Sequence, residues 1–403
     1  MNARVTSSHS PAVESGPVRA DYLPFHLPTI GEEEIAAVIH VLRSGWLTTG
    51  TKVNEFEQSF RGTVGANHAV ATNSGTAALH LALDAIGIKQ GDEVILPTMT
   101  FAATAEVVHH LNAKPVLVDC RADTLNIDPD GLPAMIGPRT KAVIPVHFAG
   151  HPCEMDRIRQ IANTYSLKVI EDAAHALPAS FRDRMIGSIG DITCFSFYAT
   201  KTITTGEGGM ATTDNPEWAN RMRISSLHGL SRSAWKRYSA EGSWSYDILR
   251  PGYKYNLTDI AAALGIEQLK KCAAFHFARK RIAQAYQEQL ADLPEISLPF
   301  CAPGVEHAWH LYVIQLKLRR LSIDRDTFIK ALKERNIGAS VHFIPLHLHS
   351  YYRNTYAYQA KQFANANAAF KRIISLPIYP NMSPTDVADV IHAVRGVVKA
   401  YRR

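Results

Sequence analysis

The chain has 403 residues, long enough to bury a large core and more than a single core usually supports, so two domains are expected. With 46% hydrophobic and 20% charged residues it reads as an ordinary soluble globular protein, which excludes collagen-like and low-complexity classes. Lys plus Arg number 43 against 37 acidic residues; the net charge of +6 suits an anionic small ligand, but the excess is spread out. Its densest spots, Ala278–Arg281 and Leu318–Arg320, read as solvated faces and not as a nucleic-acid stripe.

Five cysteines, Cys120, Cys153, Cys194, Cys272 and Cys301, lie far apart with no CxxC. They fit buried thiols in a reducing cytoplasm better than a disulfide framework, and no metal site is expected. Residues 1–20 lack an apolar core and read as a flexible tail, not a signal peptide. The longest uncharged apolar stretch, Val94–Ala105, contains Pro97 and is too short to span a bilayer, so no membrane association is expected.

From residue 21 the pattern becomes regular. Ile35, Val38, Ile39 and Leu42 recur at helical spacing after Glu32–Glu34, whose charge suits a helix N-terminus. Ser44–Gly50 (SGWLTTG) breaks that helix as a loop. Apolar β-like runs then alternate with amphipathic ones. The expected strands are Ala69–Thr72, Glu93–Pro97, Pro115–Asp119, Ala142–His147, Lys168–Asp172, Ile192–Phe197 and Gly209–Thr213. The expected helices among them are Ala77–Ala85, Thr104–Leu111, Met155–Tyr165 and Trp218–Ile224. Strands that are apolar throughout, with helices between, predict an α/β fold: a mostly parallel sheet covered on both faces, binding its ligand beyond the strands' carboxyl ends. From about residue 275 the texture changes to a long helix, Phe275–Leu290, then a strand within His310–Leu318 and helices around Thr327–Glu334, Ala364–Arg372 and Thr385–Val398. The chain thus divides into a large domain, residues 21–274, and a smaller C-terminal α+β domain, residues 275–403.

Three short stretches carry chemistry. Asn73-Ser74-Gly75-Thr76 lies between a strand and a helix, where backbone amides, a glycine and a hydroxyl make a phosphate site, although an ordinary turn and N-cap would read the same. Glu171 and Asp172 end an apolar strand, pointing to opposite faces, with His175 just beyond. A carboxylate at that place can keep a pyridine nitrogen protonated; a helix cap beside a core histidine is the plain alternative. Thr193–Met210 (TCFSFYATKTITTGEGGM) runs from a buried strand through Ser196 to Lys201 and a glycine-rich turn. Desolvation there favours the neutral amine, the form that attacks a carbonyl. Phosphate cup, pyridinium partner and Schiff-base lysine, in that order, are the three contacts that pyridoxal phosphate requires, and Phe101 could stack on its ring.

The segments SGTAALHLAL, PTMTFAATAEVV, VIEDAAHA, FSFYATKTITTGEGGM, LRPGYKYNLTDIAAALG, HAWHLYVIQL and VHFIPLHLHSYY resemble the DegT-type sugar-nucleotide aminotransferases, which have the aspartate-aminotransferase fold, fold type I of pyridoxal-phosphate enzymes. The likeness is nearest to the branch that aminates 4-keto nucleotide sugars, the synthases of UDP-4-amino-4-deoxy-L-arabinose and of perosamine. It implies transfer of an amino group from L-glutamate to a nucleotide-linked 4-ketosugar, for envelope polysaccharide or lipid A precursors, in a cytoplasmic homodimer with shared sites. Gly75, Thr76 and Ser196 would hold the cofactor phosphate, Phe101 would stack on the ring, and Asp172 would pair with its nitrogen. His175 would lie beside the ring near its phenolic oxygen, and Lys201 would be both Schiff-base lysine and general base. Asn256 would reach the neighbouring subunit's cofactor phosphate, and Trp46, Thr48, Tyr253 and His347 would face the substrate. Amination at C3, a dehydratase, and a non-enzymatic regulator on the same scaffold are the alternatives; a dehydrating branch replaces the lysine by histidine, which Lys201 opposes. The chain departs from the arabinose enzymes at Tyr198, where they usually carry histidine, and in the loop Ser180–Gly190.

Overall fold

The computed structural model describes residues 16–231 and 245–403. Most of the expected tail thus lies outside the described residues; of its end, Val18 N–H donates to the Arg335 carbonyl at 3.3 Å and Arg19 pairs with Asp386 at 2.6 Å.

The chain enters through helices α1 (Glu32–Ser44) and α2 (Thr51–Val64). Strands β1 (His68–Thr72), β2 (Glu93–Pro97), β3 (Lys114–Val118), β4 (Thr140–Val143) and β5 (Lys168–Asp172) follow, then the short pair β6 (Ser180–Phe181) and β7 (Arg184–Met185), then β8 (Ile192–Ser196) and β9 (Gly209–Thr213). Helices α3 (Gly75–Ala85), α4 (Ala103–His110), α5 (Met155–Thr164) and α6 (Pro216–Ser225) lie between them. Seven strands form one sheet in the order β1-β9-β8-β5-β4-β2-β3, parallel except for β9, which runs against both neighbours.

Side chains alternate between the faces of this sheet. Val169, Phe195 and Met210 join a core with Phe56 and Phe60 of α2, while Ile170, Cys194 and Ala211 join another with α3, α4 and α6. Both faces are therefore dry, which is why the strands read as continuous apolar runs. Of the predicted strands, Ala142–His147 is shortened: β4 ends at Val143, and Val146 makes only an isolated bridge to Asp172.

Helix α2 was not expected. Its N-terminus has no side-chain cap of its own; Asp259, 209 residues from Gly50, accepts from the amides of Gly50 at 2.8 Å and Val53 at 3.0 Å. Helix α1 forms where predicted, but Ile35 and Leu42 are 44% and 52% exposed, and the helix instead buries Glu34 and Val41. Glu34 accepts from Lys271 at 2.7 Å and from Gln268 at 2.9 Å.

The long helix, α7, spans Asp259–Leu290, starting 16 residues before the expected Phe275, so the expected boundary falls inside one continuous helix. Its second half packs Ile282, Tyr286 and Leu290 into a third core. There β12 (Tyr312–Leu316) lies between β10 (Ile296–Ser297) and β13 (Ile373–Leu376), while β11 (Val305–Glu306) pairs instead with β6. The predicted helices appear as Arg325–Glu334, Ala364–Phe370 and Pro384–Tyr401. Among the described residues no helix is long and apolar enough to cross a membrane.

The ring of Phe60, fully buried, meets Phe195 at 5.0 Å and Phe197 at 5.4 Å under the strand that leads to the site. Phe60→Ala leaves a cavity there, and we expect a loss of about 3–5 kcal/mol in urea unfolding; a loss below ~1 kcal/mol would show that α2 does not support β8.

Candidate active site

Every parallel strand ends on the same side, and the antiparallel β9 begins there. Gly209, its first residue, pairs with Thr72 at the end of β1 and with Ser196 at the end of β8. The start of α3 is thereby pressed against β8 and β9. A Cβ on Gly209 would lie 2.4 Å from the Ser74 carbonyl oxygen, and one on Gly75 would lie 2.8 Å from Ser196 Cβ. At Gly209 the neighbour is backbone and only glycine fits; at Gly75 it is the Ser196 side chain, which a methyl would press upon. Ser74 Oγ caps the helix by accepting from Ala77 N–H at 3.1 Å, and Ala78 makes the first backbone bond, to the Ser74 carbonyl. The amides of Gly75 and Thr76 lead the helix ahead of that bond, at its positive end, beside the Ser196 hydroxyl: an anion cup.

Asp172 ends β5 in the middle of the sheet and is buried. Its Oδ2 accepts from Thr104 Oγ1 at 2.8 Å and its Oδ1 from Ala174 N–H at 3.2 Å; Thr104 in turn meets Thr100 Oγ1 at 2.8 Å. Burial pushes the carboxyl above its ordinary value, opposed by those two donors and by the nearby Lys201. Glu171, on the other face, finds its partner in His147, whose Nε2 lies 2.9 Å from Glu171 Oε2. Cys153 N–H donates to His147 Nδ1 at 3.0 Å, so the ring proton sits on Nε2 and is donated to Glu171. Burial pushes Glu171 up, but donation from His147, Thr193 and Gly190 outweighs it and the carboxyl lies below its ordinary value.

Lys201 follows β8 on a short loop closed by its own amide, which donates to the Tyr198 carbonyl at 2.9 Å. Burial lowers the ammonium from 10.5 to about 8, against the pull of Asp172. Four imidazoles lie within electrostatic reach of it. Burial takes His26 and His342 down to about 4 and holds His175 and His310 well below the ordinary range, so all four are neutral at pH 7. Among the described residues, the buried His175 Nδ1 has no hydrogen-bond partner.

Asp172, Lys201 and three of the four imidazoles, His175, His310 and His342, line one cavity of about 390 Å³, which takes in Ser74, Gly75, Thr76 and Ser196 and has the exposed Phe101 on its wall. Sequence reasoning missed Thr100, Thr104, Glu207, His310, His342 and Phe343, which also line it. Thr104 sat unread inside the TMTFAAT segment, and His310 and His342 belong to the HAWHL and VHFIP segments. Five expected site residues stand apart. Trp46, Thr48, Tyr253, Asn256 and His347 do not line the cavity. Asn256 donates to Thr49 Oγ1 at 2.8 Å, joining the Trp46–Gly50 loop to one outer surface. Tyr253 stacks on Tyr255 with ring centroids 5.0 Å apart. His347 is buried, with Nδ1 2.8 Å from Thr98 Oγ1 and Nε2 3.1 Å from Asn367 Oδ1, so both ring nitrogens are engaged.

Residues 28–395 match the DegT/DnrJ/EryC1/StrS aminotransferase family. The chain belongs to that family. It is 52% identical over 382 residues to the spore coat polysaccharide biosynthesis protein SpsC of Bacillus subtilis, covering 94% of this chain and 98% of that protein. Among solved structures, the putative sugar aminotransferase Spr1654 from Streptococcus pneumoniae, in its PMP form, superposes with a TM-score of 0.88 at 36% identity, covering 94% of this chain and 99% of that one. PseC of Helicobacter pylori, an aminotransferase involved in the biosynthesis of pseudoaminic acid, gives a TM-score of 0.87 at 27% identity, with 94% and 100% covered.

The architecture is that of fold type I, and the cofactor of this family, pyridoxal phosphate, is the cofactor here. The cavity fits it on three independent counts: a cup that a Cβ would fill, a buried carboxylate on the floor, and a buried imidazole nitrogen without a partner.

Two outcomes follow from this geometry. Gly75→Ala intrudes on Ser196 and should weaken pyridoxal phosphate binding at least about tenfold with the fold intact; fluorescence titration of the apoenzyme checks it, and unchanged affinity would remove the cup from the site. A lysine at about 8 is neutral above that pH, whereas an ordinary one stays protonated to about 10.4. Covalent capture of pyridoxal phosphate by the apoenzyme should therefore accelerate as pH rises and level off above about 8 in stopped-flow absorbance, and a rate still climbing steeply at pH 10 would contradict the buried amine.

Proposed function

We propose that this pyridoxal-phosphate-dependent sugar aminotransferase moves an amino group from L-glutamate to the 4-keto group of a nucleotide-linked sugar, releasing 2-oxoglutarate and an amino sugar nucleotide. The observation that carries the reading is Lys201, a buried amine brought toward neutrality within reach of a buried carboxylate, in one cavity with an anion cup. The name of SpsC, a spore coat polysaccharide biosynthesis protein, supports a place for the product in polysaccharide synthesis; we propose envelope polysaccharide, lipopolysaccharide included, as its destination.

Bound pyridoxal phosphate supplies the electron sink that lets a proton leave carbon next to nitrogen. The cup at Gly75, Thr76 and Ser196 would hold its phosphate, with Phe101 against the ring. Asp172, kept in place by Thr104 and the Ala174 amide, would keep the ring nitrogen protonated. His175 Nδ1 would turn to the ring's oxygen. Lys201 would hold the cofactor covalently between turnovers and, once released by the amino donor, carry a proton from the donor's α-carbon to the cofactor; in the second half-reaction it would take a proton back from the cofactor and deliver it to the sugar carbon. In each half-reaction the amine must be neutral to take the proton and an ammonium to deliver it, and a group near 8 passes between the two forms at neutral pH at small cost.

The protein is read as a homodimer with shared sites. Ile35, Ile39 and Leu42 lie exposed along α1 near exposed Leu27, Ile30 and Leu47, an apolar surface suited to a second copy. Trp46, Thr48 and Asn256 would then serve the partner's cavity, Asn256 toward its phosphate, with Tyr253 and His347 on the substrate side at a greater distance. The division of the chain near residue 275 is supported by the separate third core. The cytoplasm, where amino donor and nucleotide sugar are both present, is the proposed location; the five free cysteines are compatible with it.

The absorbance of the purified holoenzyme should change on adding L-glutamate and revert with one member of a panel of 4-keto nucleotide sugars. Lys201→Ala should abolish turnover while still binding the cofactor without a covalent bond. An enzyme indifferent to glutamate, or a lysine-free variant retaining more than a trace of activity, would overturn the reading.

A further inference from the structure

Helix α7 carries a fully buried arginine that the reaction as described does not use. Arg279 is 0% exposed, and among the described residues no acidic side chain forms a salt bridge with it. Burial lowers its guanidinium to about 10. A buried charge without an acid is costly, and an apolar side chain of similar volume would ordinarily stabilise the same place better. What the guanidinium does there is gather backbone. Its Nη1 donates to the carbonyls of Ile378 at 2.7 Å, His310 at 3.2 Å and Trp309 at 3.3 Å. Two turns along the same helix, the Tyr286 hydroxyl donates to the Pro377 carbonyl at 2.8 Å. One face of α7 therefore fixes the Pro377–Ile378 chain and the Trp309–His310 chain together.

The Trp309–His310 chain reaches the active site. Trp309 has φ of 51°, in the left-handed region that bulky residues rarely occupy and hold only when their surroundings enforce it. The enforcement is visible: its amide donates to His307 Nδ1 at 2.8 Å, its ring stacks on His307 at 4.0 Å, and its carbonyl is held by Arg279. That turn aims the His310 ring at His175, centroid to centroid 4.4 Å. The contact has little slack, since Ala308 and Leu311 donate to the carbonyls of Gly150 and Ala149, and a Cβ on Gly150 would lie 2.7 Å from the His175 carbonyl oxygen.

We propose that Arg279 is a positioning residue for transamination: by clamping the Trp309 and His310 carbonyls it fixes His310 against His175, and so fixes the imidazole that faces the cofactor ring. This rests on the function proposed above. The clamp also bears on protonation. His310 lies within electrostatic reach of His175, Lys201, Arg279 and His26, and Arg279 within reach of His26 and of Cys272 on its own helix. Beyond the effect of burial, the fixed charge of Arg279 opposes protonation of both His310 and His26. Its removal lets them take up protons at higher pH.

The test compares holoenzyme with Arg279→Met and Arg279→Lys. One readout needs no substrate: the visible circular dichroism of bound pyridoxal phosphate, which reports how rigidly its surroundings are held. The other is the pH profile of the glutamate half-reaction in single turnover. Arg279→Met should keep bound cofactor, lose most of the visible dichroism, fall about tenfold to a hundredfold in rate, and show an acid limb displaced to higher pH. Arg279→Lys, which keeps the charge but takes the donor away from the place of Nη1, should leave the acid limb in place with dichroism and rate reduced. If the methionine variant fails to fold, the lysine variant decides. Wild-type dichroism with wild-type rate in either folded variant would overturn the proposal, even with a lowered Tm, because a merely structural arginine moves the Tm alone. A wild-type enzyme that ignores glutamate would defeat the proposed function, while the dichroism comparison would still decide the clamp.

Discussion

The site depends on a carboxylate that the fold does not allow to meet water. Asp172 stands at the end of a strand whose Val169, Ile170 and Glu171 are also buried, in the middle of a sheet covered by helices. Burial raises the carboxyl, and a charge in such a place persists only with donors and a cation nearby. Thr104 and the Ala174 amide supply the donors, and Lys201 is the cation within the protein. A protonated pyridine nitrogen is a second cation of suitable charge and shape. The strain of burying the acid is thus relieved most fully when the cofactor is bound, which ties holoenzyme formation to stability as well as to chemistry.

The second constraint is the reversed strand. A fully parallel sheet would put the carboxyl end of every strand at the site and the amino end of none. Because β9 runs backwards between β1 and β8, its first residue lies among their last ones, and the TTGEGG turn is delivered to the site together with Lys201. Gly209 between Thr72 and Ser196 closes the gap so far that only backbone fits, and this draws the α3 amides within reach of Ser196. The phosphate cup is a consequence of strand order.

Much of this was legible because burial leaves a plain trace. Strands β2, β5 and β9 read to the residue, since nearly every position in them is buried on one dry face or the other. Gly75, Asp172, Ser196 and Lys201 were found because each lies just past such a run. The signal failed where structure depends on distant partners. Helix α2 carries Val53, Phe56, Phe60 and Val64 on one face, but its cap is Asp259, and nothing near Gly50 announces a start. Helix α1 was found from its apolar residues, which turned out to be its exposed ones, because Glu34 is drawn inward by Lys271 and Gln268. His310 and His342 come from beyond residue 300, and no local pattern tells that the chain returns to the cavity there.

The electrostatics of the cavity are simpler than its titratable inventory suggests. His26, His175, His310 and His342 surround Lys201, and each would cost the lysine its proton if charged; burial keeps all four neutral. The coupling is reciprocal, so a proton on Lys201 lowers each of them further. Near pH 7 the imidazoles therefore neither take up nor release protons when Lys201 does. One amine, held at about 8 instead of 10.5, can then gain and lose a proton opposite a fixed carboxylate without a compensating shift among its neighbours. That isolation is what a single base needs if it is to run proton transfer forwards in one half-reaction and backwards in the other. It also gives a use to four histidines that bear no charge: they fill space around a moving proton with polar groups whose own state does not follow it.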